Sequence, residues 1–171
     1  MNIFYLDHDP SICAQLHCDK HVVKMIIEYA QLMSTAHQVL DGPNDNLYKP
    51  THINHPSAIW VRQSKANYDW LFELWTMMLA EYTHRHHKQH ACSRLYKDLF
   101  VAPRNISDGP FTEPTPAMPD EYKVPGNSIK SYHQYYVGAK HKFLTWKNRD
   151  QRFGTLNRIE GVDYANLYIS E

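Results

Sequence analysis

The chain has 171 residues, 18 basic and 18 acidic side chains and a formal net charge of zero at neutral pH, which excludes gripping duplex DNA through overall charge; a nucleic-acid role needs a local patch or a small ligand. Its length and 43% hydrophobic content suit one domain with a sizeable core and exclude a disordered chain. Twelve histidines are many for this length, and three cysteines, no N-terminal apolar signal and no bilayer-spanning run predict a reduced, cytoplasmic protein without a membrane partner.

Residues 1–6 (MNIFYL) form a short apolar run before Asp7-His8-Asp9-Pro10 and predict a brief N-terminal strand ending in a turn. Either Ser11 or the Asp9-Pro10 pair can start the first helix. Residues 13–40 hold neither Gly nor Pro and predict one long helix. At about 100° per residue, Cys13, His17, His21, Lys24, Glu28, Gln31 and Thr35 fall on one narrow stripe. Most other positions between Val22 and Met33 are apolar. A surface helix shows the opposite balance, so this one is expected to be buried on most sides, with its polar stripe lining a cavity. Buried charge is costly unless paired or used. Lys24 and Glu28 at i, i+4, with His21 and His17 one and two turns back, therefore make a candidate pocket; the plain alternative is a solvated helix pair contributing about 0.2–0.5 kcal/mol.

Asp41-Gly42-Pro43 end this helix, and a polar loop carries Lys49, His52 and His55. Asn54-His55-Pro56 opens a second long helix to about residue 87, with Trp60, Trp70, Leu71, Leu74, Trp75, Met78, Leu79 and Tyr82 as core and Arg62, Lys65, Asp69 and Glu73 as a polar stripe. Residues 84–90 (HRHHKQH) read as a solvated helix end with cations at the negative dipole terminus. A shorter helix is expected near residues 92–100. Six prolines in residues 103–125 predict a long loop wrapping the core on Phe111, Met118 and Tyr122. Ser128 is expected to cap a third helix over residues 129–148. Residues 149–171 read as a short strand or a C-terminal arm that could reach a neighbouring subunit of a homo-oligomer. The expected fold is mainly α, a single domain over residues 1–171. It has two long antiparallel helices, a third C-terminal helix, a Pro-rich wrapping loop and a short N-terminal strand.

Cys13, His17 and His21 at i, i+4, i+8 span about 12 Å of helix, too far for all three to bind one ion; a pair of them with distant ligands is the alternative to the expectation of no metal or other cofactor. Lys24, Lys49, Arg62, His21, His52 and His55 come from segments that meet if the long helices are neighbours. With Trp60 or Tyr48 for stacking, they would suit a phosphate-bearing nucleotide or a flipped base. Scattered surface charge is the alternative.

The opening MNIFYLDHDP, the stretch DKHVVKMIIE and the NHP…NYDWLFELW helix together resemble the pyrimidine-dimer DNA glycosylase superfamily over roughly residues 1–90. Asp19, His21 and Glu28 match its Asp, His and catalytic Glu. The resemblance implies damaged DNA as partner. It also implies that an N-terminal amine at Met1 attacks the sugar carbon of the damaged nucleotide to form a Schiff base, while Glu28 assists the sugar-ring and elimination chemistry. Where the family carries arginines just before and three residues after this Glu, the chain has Ile27 and Gln31. It further resembles a set of phage proteins sharing HCDKHVVKM, NHPSA and AMPDEYKV, which would place it in the host-cell cytoplasm. The first functional expectation is thus a base-excision and lyase enzyme with Met1, His21 and Glu28 as catalytic residues. Its ligand contacts would be His17, Lys24, Gln31, Lys49, His52, His55, Trp60 and Arg62. The alternative, favoured by zero net charge and the missing arginines, is a non-catalytic sponge or a hydrolase for a small nucleotide immune signal, serving phage counter-defence. A scaffold role would leave the polar stripe without a shared cavity.

Overall fold

The computed structural model describes residues 1–149; the C-terminal arm expected over residues 149–171 lies, apart from Arg149, outside them. Asp9 starts α1 (Pro10–Leu16): its carboxylate accepts from the Ser11 and Ile12 amides at 2.8 and 3.1 Å, and Pro10 takes the first turn. The single helix expected over residues 13–40 is broken after Leu16. His17 and Cys18 are extended (ψ 128° and 163°), and His17 Nδ1 donates to the Cys13 carbonyl at 2.7 Å. A side chain thus takes the acceptor that the next helical amide would have used. α2 (Asp19–Asp41) starts afresh and ends at Gly42, whose φ of 96° suits glycine. It buries Val22, Met25, Ile26, Tyr29, Leu32 and Met33, but Val23 and Ile27 are exposed, so it is half-buried and not enclosed on most sides.

The second long helix is also two. α3 (Pro56–Gln63) and α4 (Lys65–His86) are separated by extended Ser64, whose Oγ accepts from the Asn67 amide and donates to the Pro110 carbonyl, both at 3.2 Å. Lys65 gives its amide to Ser107 at 2.9 Å. The Pro-rich segment therefore supplies the hydrogen bonds that hold this break open. It is further fixed by Thr112, which exchanges bonds with the Asn67 side chain and accepts the Trp60 indole N–H at 3.0 Å. α2 packs on α3 and α4, and α1 packs on α4. A 3₁₀ turn (Ala91–Leu95) leads into α5 (Tyr96–Leu99).

α6 (Ser128–Tyr135) is capped by Asn127, not Ser128, and gives way to a π-helical turn (Tyr136–Lys140) and a 3₁₀ turn (His141–Phe143). The third helix thus stops well before residue 148. Gly138 in the π turn lies so close to Tyr122 that a Cβ there would stand 2.3 Å from the ring.

Among the described residues there is no strand. Residues 3–6 are non-helical and buried, and side chains take the place of a partner strand. Phe4 N donates to Tyr29 OH (3.2 Å), Leu6 N to Cys13 Sγ (3.4 Å), and the Cys13 thiol returns a bond to the Phe4 carbonyl (3.3 Å). His133 Nε2 donates to the Leu6 carbonyl at 2.6 Å. Asn2 donates to the Ala117 carbonyl and accepts from Tyr132 OH at 2.7 Å.

The apolar face of α4, Leu71, Trp75, Met78 and Tyr82, continues onto Arg85, which is fully buried. Residues 84–90 are therefore not a solvated helix end throughout: Arg85 and His90 are inside. Arg85 donates to Glu81 (2.8 Å), to Asp19 at the start of α2 (2.9 Å) and to the Gln15 carbonyl of α1 (3.1 Å). Arg149 reaches the other side of Glu81 at 2.8 Å. Asp19 also accepts from Thr145 Oγ1 (2.7 Å) and the Lys147 amide (2.9 Å). Burial pushes the Glu81 carboxyl up, but its bonds to Arg149 and Arg85 outweigh this and hold it below its ordinary value.

Removing one partner of a buried ion pair leaves an uncompensated charge. Arg85→Met should lower the unfolding free energy by about 3–5 kcal/mol in denaturant titration. Lys65→Met, which breaks an exposed i, i+4 pair with Asp69, should change it by less than about 1 kcal/mol.

Candidate active site

Glu28 sits two turns into the exposed side of α2, half-buried, and two nitrogens converge on it. The Met1 ammonium lies 3.7 Å from one carboxylate oxygen, and Lys24 Nζ lies 3.4 Å from the other. The side chain of Lys24 is 71% exposed and that of Glu28 only 13%. Lys24 alone thus fits the solvated-pair reading; the carboxylate is sheltered and shared with the chain's own amine. The threaded N-terminal segment puts that amine there, because Asn2, Phe4 and Leu6 are each tied to a particular side chain or carbonyl.

His55 belongs to the same group. It caps α3, with Nδ1 accepting from the Ser57 amide at 3.1 Å. Burial first, then the positive N-terminus and His52, push its imidazole down, while Glu28 acts in the opposite sense. The loop before it is pinned. Thr35 Oγ1 accepts from the Thr51 amide (3.2 Å), Arg62 donates to the Ile53 carbonyl (2.7 Å), and His52 holds a left-handed φ of 48°. Arg62 is thus tied to the loop backbone. Gln31, one turn beyond Glu28, is half-buried.

Other residues of the expected pocket lie elsewhere. Trp60 is 2% exposed with its indole N–H engaged, so it has no free face for stacking. Lys49 lines a separate cavity of about 270 Å³ with Gln38 and Asn44, and Gln38 lies ten residues, about 15 Å of helix, from Glu28. His17 is fully buried: Nδ1 donates to Cys13, and Nε2 accepts from Tyr29 OH at 2.7 Å. His21 stacks on Phe4 (centroids 4.2 Å apart), and its Nδ1 meets Tyr136 OH at 2.6 Å. Among the described residues no three His, Cys, Asp or Glu side chains gather so as to hold a metal ion, and no helix is long and apolar enough to cross a membrane.

An α-amine beside a sheltered carboxylate places a potential nucleophile next to a group able to take its proton. Residues 1–94, just over half of the chain, match the family model described as pyrimidine dimer DNA glycosylase, and the chain belongs to that family. No curated protein and no solved structure matches it.

Sequence reasoning missed Glu81 and Arg85, although Arg85 is the next position of the 71, 75, 78, 82 stripe. It also missed Tyr29, the hydrogen-bond partner of His17 Nε2; an apolar stretch gives no sign that one phenol oxygen within it is needed as a hydrogen-bond partner.

Burial is the first cause that lowers both imidazoles, His17 to about 4 and His21 to about 3. The unfolded chain takes up these protons near pH 6.5, and the folded protein resists them. The stabilisation is thus complete above that pH and is lost as pH falls toward the folded values, with a slope of about 1.4 kcal/mol per pH unit for each group. Unfolding free energies measured from neutral pH down to about 5 should decline accordingly, and His17→Gln should show a slope shallower by one proton.

Proposed function

We propose that the protein excises damaged pyrimidines from DNA, with the amine of Met1 as nucleophile and Glu28 as its acid–base partner. The observation that carries this reading is the 3.7 Å approach of the amine to Glu28 in a chain of the pyrimidine dimer DNA glycosylase family. In the reaction the neutral amine attacks C1′ of the damaged nucleotide with its lone pair, and the glycosidic bond breaks with its electrons leaving on the base. Loss of one of the two protons on the attached nitrogen, then cleavage of the C1′–O4′ bond with a proton delivered to O4′, gives the protonated Schiff base and the open sugar. Removal of a C2′ proton then expels the 3′ phosphate and cleaves the strand. Glu28 is placed to take the proton that the ammonium must lose and to serve the sugar at the later steps. His55 stands at the edge of this pair with Nδ1 occupied by its cap, which leaves Nε2 for the ligand side. His17 and His21 support the site from within, through Tyr29 and Phe4.

A second reading, binding of a small nucleotide without chemistry, is favoured by the zero net charge and by Ile27 and Gln31 at the flanks of Glu28. Borohydride trapping on an oligonucleotide with a thymine dimer or an abasic site separates the two. The enzyme should give a covalent adduct that disappears when the N-terminus is acetylated. Glu28→Gln should reduce turnover by about 10²-fold or more while binding is nearly kept. Equal turnover by the variant, or an adduct that survives acetylation, would remove this reading.

A further inference from the structure

The positions that would bear arginines beside Glu28 are Ile27 and Gln31, yet cations gather at the same place from another source. Lys20 lies one turn before Lys24 on α2. Its Nζ stands 4.8 Å from the centroid of the Phe143 ring, which the 3₁₀ turn after α6 supplies. Lys140, from the π turn, reaches the same ring at 6.0 Å and lies 4.7 Å from the Tyr135 centroid. Among the described residues neither lysine has a carboxylate partner. The nearest acid in sequence, Asp19, is committed to Arg85, Thr145 and Lys147. Two ammonium groups from elements 120 residues apart are thus held over one phenyl ring without a counter-ion.

The ring face attracts each ammonium but cannot neutralise it. Half-buried Phe143 and Tyr135 fix the lysine stems and leave the charges turned outward. Lys20 lies eight residues, about 12 Å of helix, before Glu28, and a chain of rings links the cluster toward the N-terminal segment. Phe143 packs edge-on to His21 (5.8 Å), Phe4 stacks between His21 and Tyr135, and Lys24, next to Glu28, acts on His21 together with Lys140. Lys140 and Phe143 lie outside residues 1–94, the part that matches the family.

We infer that Lys20 and Lys140, presented by Phe143 and Tyr135, form a phosphate-binding site that grips the sugar–phosphate backbone beside the lesion. The ligand chemistry is a phosphate diester or monoester with no second acidic group needed. The backbone of a DNA strand is the assignment that rests on the excision reading above. In that case the positive charge absent at Ile27 and Gln31 is supplied two to three turns earlier on α2, by Lys20, and by Lys140 from the π turn.

The test is binding without chemistry: fluorescence anisotropy of the full chain with a duplex carrying a tetrahydrofuran abasic analogue, which cannot form a Schiff base. Titrations between about 50 and 200 mM salt give the slope of log K against log salt concentration. Lys20→Gln and Lys140→Gln should each reduce its magnitude by roughly 1, and the double variant by roughly 2. Phe143→Leu, which keeps both charges but removes the ring, should weaken binding with the slope unchanged; circular dichroism confirms folding of each variant. An unchanged slope in the folded double variant would overturn the site. Lysine-dependent binding of thymidine monophosphate with no binding of the duplex would keep the phosphate site and assign it to a free nucleotide. A reduced slope alongside failed borohydride trapping would uphold the site and remove the excision chemistry.

Discussion

The arrangement rests on burying a non-helical peptide without a sheet. Residues 3–6 lie inside the helical body, where every amide and carbonyl needs a partner because water is excluded. No neighbouring strand supplies one among the described residues. The partners come instead from Tyr29, Cys13 and His133, which belong to α2, α1 and α6. The helices are thus joined through the segment they enclose. Because its inner end is fixed, its outer end is fixed too, and the terminal nitrogen comes to lie beside Glu28. A neutral His17 is part of the same arrangement, since Tyr29 can accept from Phe4 while donating to Nε2 only if that nitrogen is unprotonated.

A second constraint binds the other end of the molecule. Arg85 connects α4, α1 and the first residue of α2, and Asp19 in turn holds the backbone around residues 145–147. Such a network contributes little net stability compared with apolar packing, but it fixes which groups meet. Here it anchors the residues that follow Phe143, and so holds the C-terminal turn against α2. Asp19 is therefore an anchor point of the fold.

Much of this was legible in the sequence, and the gaps have physical causes. Helical character, the Pro-rich wrap and the prominence of Glu28 follow from periodicity, composition and residue type. The breaks at His17-Cys18 and Ser64 do not, because each is made by tertiary hydrogen bonds: His17 to Cys13 with Tyr29 behind it, and Ser64 to a loop more than forty residues away. Neither place has the Gly or Pro that marks a helix end locally. The stripe reasoning then carried His17 and His21 onto the face of Glu28, although His17 lies on the far side of a break and turns inward. The reverse error occurred at Arg85, where a charged residue in a histidine-rich run was taken as solvated although its spacing from Tyr82 continues the apolar face. The brief strand expected at residues 1–6 is absent: side chains, and no neighbouring strand among the described residues, satisfy the backbone of this buried segment.

Side-chain partners for a buried non-helical peptide also set how the chain can vary. A strand in a ladder can slip by two residues and recover equivalent pairings on the same face. The segment before Asp7 has no such repeat: the Cys13 thiol matches two of its backbone atoms, and the Tyr29 phenol and His133 imidazole match one each. Its length is consequently constrained along with its residues, and one amino acid inserted or deleted between Asn2 and Leu6 would mismatch bonds on one side of the change while displacing the terminal nitrogen by a full residue's rise.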